Sequence, residues 1–191
     1  MEDLVAARGQ MAMSLAFHIL FACAGIAMPL LMVLAEGRYH RSKDPIDLDL
    51  AKRWSKGVAI LFAVGAVSGT VLSFELGLLF PEFMRFAGPV IGMPFSLEGF
   101  AFFLEAIGLG LYLYGWERLS PRMHMAAGVL VLLMGILSCV FVVTANAWMN
   151  TPTGFTLDAA GKVATVDVMA AMFNPASFTQ CLHMTIAAFV A

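Results

Sequence analysis

The sequence predicts an all-α integral membrane protein: a bundle of four transmembrane helices plus the start of a fifth, with the N-terminus outside. Three observations predict it. The 191 residues are 61% hydrophobic and 13% charged, with mean hydropathy +0.87, where soluble domains run at about 45–50% and about 25%. The apolar residues fall in long runs, four of them long enough to cross about 30 Å of hydrocarbon as a helix. The Lys and Arg residues sit mostly on one side of the resulting topology. The net charge of −2 says nothing about partners, but the lack of a basic face to meet phosphates argues against nucleic acid.

The first span runs from about Met11 to Ala35 and holds Pro29, where a kink is expected. The start, MEDLVAARGQ, is acidic and the run after it is too long for a cleaved signal, so this helix stays in the protein. Glu36 to Lys56 reads as a polar loop. The second span, Gly57 to Phe80, contains Gly65-Ala-Val-Ser-Gly69, a small-xxx-small pattern that lets another helix approach closely. Pro81 to Pro94 reads as a short connection punctuated by Gly and Pro. The third span covers 95–116 and the fourth 123–148, joined by a short turn. Residues 150–174 read as a longer polar loop with a short interfacial helix around Val166 to Met172. A fifth apolar segment, 175–191, sits at the short limit for a span, so the chain is expected to be the N-terminal part of a longer subunit. The whole reads as a single transmembrane domain over 1–191.

Orientation follows from the basic residues. The 36–56 stretch carries six and the 117–122 turn two, against three on the other side: Arg8, Arg85 and Lys162. By the positive-inside rule the first and third loops are cytoplasmic.

The third span carries two carboxylates, Glu98 and Glu105. Seven residues is almost two helical turns, so both face one side about 10 Å apart along the axis. A charge at the bilayer centre costs about 2.5–3.5 kcal/mol. The bland reading is a protonated, hydrogen-bonded pair that only orients the helix; the functional one is a proton path, an ion path or a cofactor, and it is preferred. His18 on the first helix, Glu75 near the end of the second, Asn146 and Trp148 on the fourth and His183 on the fifth reach the outer half of the bilayer as well. The inner half is read as nearly free of polar groups.

A membrane histidine hydrogen-bonds a neighbouring helix, relays protons or binds a metal through a neutral nitrogen. His18 has Ser14, Ala22 and Gly25 on its own face, where either a flat macrocycle or a second helix fits. Two histidines at similar depth on different helices suit haem better than tetrahedral zinc, which wants four ligands. His40 and His124 read as solvated or interfacial. Tyr112, Tyr114 and Trp116 read as an inner interfacial belt. Cys23, Cys139 and Cys181 read as small buried hydrophobes, and the fourteen methionines mainly as packing.

These residues carry a family resemblance. Leu15-Ala-Phe-His18-Ile-Leu-Phe, Leu97-Glu98-Gly-Phe-Ala-Phe-Phe-Leu-Glu105, Tyr114-Gly-Trp116, Ala145-Asn146-Ala-Trp148-Met149 and Asn174-Pro175…His183 resemble subunit I of cytochrome bd-type quinol oxidases. The resemblance implies a bacterial or archaeal cell-membrane enzyme that oxidises quinol, reduces dioxygen to water and builds a membrane potential. It implies a low-spin haem b held by His183, and a second haem b and haem d at the oxygen site, His18 ligating one of these. It implies proton delivery by Glu98 and Glu105, and more weakly Arg8 near haem propionates and Ser138 and Asn146 along a polar path. Its implied partners are the remaining half of subunit I, cytochrome bd subunit II and a small accessory subunit. Glu98 and Glu105 stand seven apart where some members have eight, and Glu75 stands where some have Gln. The family's methionine and glutamate haem ligands and its quinol loop belong to that remaining half. Two other readings are a non-catalytic di-haem electron carrier and a proton-coupled transporter using Glu98 and Glu105.

Overall fold

A computed structural model describes residues 2–191. Helices α1 (Glu2–Ser42), α2 (Pro45–Leu79), α3 (Pro81–Tyr114) and α4 (Pro121–Asn150) are followed by a two-stranded hairpin and two shorter helices. The strands β1 (Phe155–Leu157) and β2 (Val163–Val166) pair antiparallel, and α5 (Val168–Met172) and α6 (Ser177–Val190) complete the chain. Helices α1 to α4 are each long and apolar enough to cross a membrane. Three of the four open with Pro in their first turn, where its missing N–H costs nothing. Asp44 caps α2 by accepting from the N–H of Ile46 (2.9 Å), and Ser120 caps α4 by accepting from that of Met123 (3.4 Å).

The helices pair as two antiparallel hairpins, α1 with α2 and α3 with α4; α1 also meets α4, and α6 lies against α4 and α1. One core gathers Met32, Val58, Leu109, Tyr112, Ala127 and Val131. A second packs Ala87, Val90 and Ile91 of α3 on Ala145 and Trp148 of α4 and Ala171 of α5, beneath the β-hairpin. Large apolar side chains such as Leu20, Phe74, Phe100 and Phe178 point outwards. That arrangement suits lipid, where helix association relies on close packing and not on removal of apolar surface from water.

Several expectations about boundaries are corrected. Residues 36–56 are not a loop: α1 and α2 continue through them, leaving Lys43 and Asp44 as the whole connection. At about 1.5 Å per residue the 41-residue α1 is far longer than a bilayer core, so hydropathy marks only its membrane part. The polar extension is tied by helical pairs, His40–Glu36 at 3.2 Å and Arg53–Asp49 at 2.7 Å, and by Arg38–Asp47 at 3.3 Å across the turn. Residues 81–94 are the first turns of α3, not a connection, despite Pro89 and Pro94. Burial recurs at Ala87, Val90, Ile91, Pro94, Ala101, Glu105, Gly108, Leu109 and Tyr112, one continuous stripe with helical period. Packing of that stripe outweighs the backbone bonds that the two prolines remove. The 150–174 stretch holds α5 as expected, but also the unforeseen hairpin.

Candidate functional site

The seam between α1 and α2 is polar. Gln10, Ser14 and His18 stand one turn apart on α1, so all three face α2. Gln10 Nε2 and Ser14 Oγ both donate to Glu75 Oε1, at 2.8 and 2.7 Å. His18 Nδ1 lies 2.9 Å from Ser68 Oγ, about two turns before Glu75 on the same face of α2. The face of α1 bearing Ser14, His18 and Gly25 is therefore a helix–helix seam: a Cβ at Gly25 would meet Leu61. The two glycines of the small-xxx-small pattern differ. A Cβ on Gly65 would touch nothing, whereas one on Gly69 would lie 3.2 Å from His18 Cε1. Gly69 makes room for an imidazole, not for a helix backbone.

Glu98 and Glu105 both face α4. Ser138 Oγ donates to Glu98 Oε1 at 3.1 Å. Glu105 is 8% exposed and lies over Gly135, where an added Cβ would come 3.2 Å from its Oε1. The acids thus share one helix face, as the seven-residue spacing requires, and the fourth helix supplies a small residue opposite each.

His183 is exposed on α6. With Val143 and Asn146 of α4 and Thr179, Gln180 and Met184 of α6 it lines an open groove of about 400 Å³. Asn146 Nδ2 donates to Gln180 Oε1 at 2.9 Å, joining the two helices beside the histidine. Gln180 was missed from sequence; its only signal is a position three residues before His183 on one helix face. Arg8 is exposed in the early turns of α1, with no ion pair among the described residues.

The opposite end of the bundle overturns two expectations. His124 is 3% exposed, not solvated, and Tyr112 is fully buried, not part of an interfacial belt. His124 Nδ1 lies 2.8 Å from Glu36 Oε1 and its Nε2 2.9 Å from the carbonyl of Tyr112. Its ring packs against both Tyr112 and Trp116, with centroids at 4.3 and 4.1 Å, and those two rings also meet edge to face at 5.3 Å, so the three form a triangular cluster. The end of the bundle away from Glu75 and His18 is therefore not free of polar groups. With 36–56 read as a loop, Glu36 fell in water; as helix, it turns inward to a partner 88 residues away.

A helical membrane protein with one histidine in a helix seam, another on an open groove and two acids on one helix face carries the polar groups that mark a functional site within a membrane. Residues 6–191 match the family model for cytochrome bd terminal oxidase subunit I, and the chain belongs to that family. It is 36% identical over 185 residues to the cytochrome bd ubiquinol oxidase subunit 1 of Bacillus subtilis (strain 168), covering 96% of this chain and 39% of that one. A second protein of that organism, provisionally named a cytochrome bd menaquinol oxidase subunit I, is 40% identical over 190 residues, covering 100% of this chain and 43% of that one. The bd oxidase structure from Geobacillus thermodenitrificans superposes with a TM-score of 0.93 at 38% identity, over 98% of this chain and 43% of that chain. The chain thus spans well under half the length of its relatives. Family and fold make it a multi-pass protein of the bacterial cell membrane, in a family of haem proteins.

Proposed function

We propose that this chain forms the haem-binding core of a terminal oxidase that oxidises quinol, reduces dioxygen to water and generates a membrane potential. The observation that carries it is family membership along nearly the whole chain, with the family-matched histidines and acids all present. The geometry fits haem. His18 is half-buried with Nδ1 engaged by Ser68, so its other nitrogen is available to iron. His183 stands on an open groove of about 400 Å³, where Val143 and Met184 offer apolar surface beside the polar Asn146, Thr179 and Gln180.

When bound, the haems supply electron transfer and activation of dioxygen. His18 ligates one haem of the oxygen-reducing pair, a haem b and a haem d, and His183 ligates the low-spin haem b. Arg8 is assigned to the propionates on resemblance alone. Glu98 and Glu105 hold and pass protons, Ser138 donating to the first and Gly135 leaving room for the second. With the N-terminus outside, protons reach these acids from the cytoplasm while quinol is oxidised at the outer face, and that separation builds the potential. The remaining half of subunit I, cytochrome bd subunit II and a small accessory subunit complete the assembly.

The test is an optical spectrum of the purified full-length oxidase, reduced and then exposed to carbon monoxide. Bands from both low-spin and carbon monoxide-binding haem are expected. Six-coordinate haem alone would make it an electron carrier, and a colourless protein a transporter; either overturns the proposal.

A further inference from the structure

We infer that Ser68 and Gly69 of α2 are the positioning residues of His18: Ser68 fixes which ring nitrogen carries the proton, and Gly69 seats the ring. This rests on His18 being a haem ligand, as proposed above.

A histidine that binds iron does so as a neutral imidazole through one nitrogen, and the hydrogen bond made by the other decides which one. Ser68 is 8% exposed, and its Oγ lies 2.9 Å from His18 Nδ1. The same hydroxyl is 2.8 Å from the carbonyl of Val64 and 3.2 Å from that of Gly65. Carbonyls only accept, and a serine hydroxyl has one proton. With that proton turned to its own helix, in the back-bonded form usual for a mid-helix serine, Ser68 offers His18 only a lone pair. Nδ1 then carries the hydrogen, and Nε2 carries the lone pair for iron.

Ser14, the other hydroxyl near His18 on α1, is committed to Glu75 at 2.7 Å. Gly69 meets the same ring nearest Cε1: a Cβ there would lie 3.2 Å from Cε1 and 3.8 Å from each nitrogen. Two successive residues of α2 thus hold one imidazole, one by its nitrogen and one by leaving out a side chain. A hydrogen bond accepted from Nδ1–H also raises the basicity of the ring as a ligand.

The experiment uses the full-length oxidase carrying Ser68→Ala, Ser68→Thr, Gly69→Ala or His18→Ala. The readouts are haem content, the iron–histidine stretching frequency by resonance Raman, and the midpoint potential of the bands that disappear in His18→Ala. Ser68→Ala is expected to lower the stretching frequency, raise the midpoint potential and weaken haem retention about 10-fold, with Ser68→Thr restoring all three. Gly69→Ala is expected to shift or lose the same bands. If Ser68→Ala does not assemble, Ser68→Cys, a poor acceptor, is read in its place. An unchanged frequency and potential in the acceptor-deleted variant, or a wild-type spectrum in Gly69→Ala, overturns the inference. A His18→Ala enzyme that retains every haem band overturns the assignment of His18 itself, a distinguishable failure.

Discussion

His124 and Glu36 form a buried pair, 2.8 Å apart, in which every neighbour of the imidazole is an acceptor. The carbonyl of Tyr112 only accepts, so it takes the N–H of Nε2, while Nδ1 faces the carboxyl of Glu36. The pair ties α1, α3 and α4 together at the end away from the N-terminus.

Breaking that tie by His124→Ala leaves a buried carboxyl whose remaining partner is His40 at 3.2 Å. Loss of one member of a buried pair costs about 3–5 kcal/mol. Glu36→Gln keeps an acceptor and is expected to cost about 1 kcal/mol. Thermal unfolding of the purified protein in detergent ranks the two; equal midpoints would show that the pair contributes little.

Gly128 is the floor under Tyr112. A Cβ there would lie 2.8 Å from Tyr112 Cε2 and 3.1 Å from Val33. Gly128→Ala is expected to destabilise by about 1–3 kcal/mol through overpacking, while Gly110→Ala, with open space beside it, leaves the same unfolding curve in place.

Glu105→Gln is expected to keep fold and haem spectrum but slow oxygen consumption about 100-fold, the usual contribution of a positioned proton-transfer group. Gly135→Ala pushes on the same carboxyl and is expected to lower turnover less. Wild-type rates in Glu105→Gln would reduce this acid to a packing role.

His183→Ala is expected to remove the low-spin haem signal while the oxygen-site bands persist, read from reduced spectra with and without carbon monoxide. Gln180→Ala opens the 2.9 Å link to Asn146 beside that histidine and is expected to perturb the low-spin band without abolishing it. Simultaneous loss of all bands in His183→Ala would contradict its separate assignment.

Most of the bundle is legible in the chain because hydropathy and helical period are local quantities: five apolar runs match α1 to α4 and α6. The acids of α3 were placed on one face correctly by spacing alone. The ends of the helices were not, because hydropathy reports where lipid lies and not where the backbone stops being helical. Glu36 and Pro81 to Pro94 were misread for that reason.

By itself the sequence determined class, span order and family, all set by residue type and spacing along one strand of chain. Only the tertiary structure decided that Gly69 leaves room for His18 while a side chain at Gly65 would meet nothing, that Ser68 and not Ser14 meets the ring, and that His124 is enclosed. Each of those depends on the rotation of one helix about its axis against another, and that rotation is fixed by packing between residues 50 to 88 positions apart.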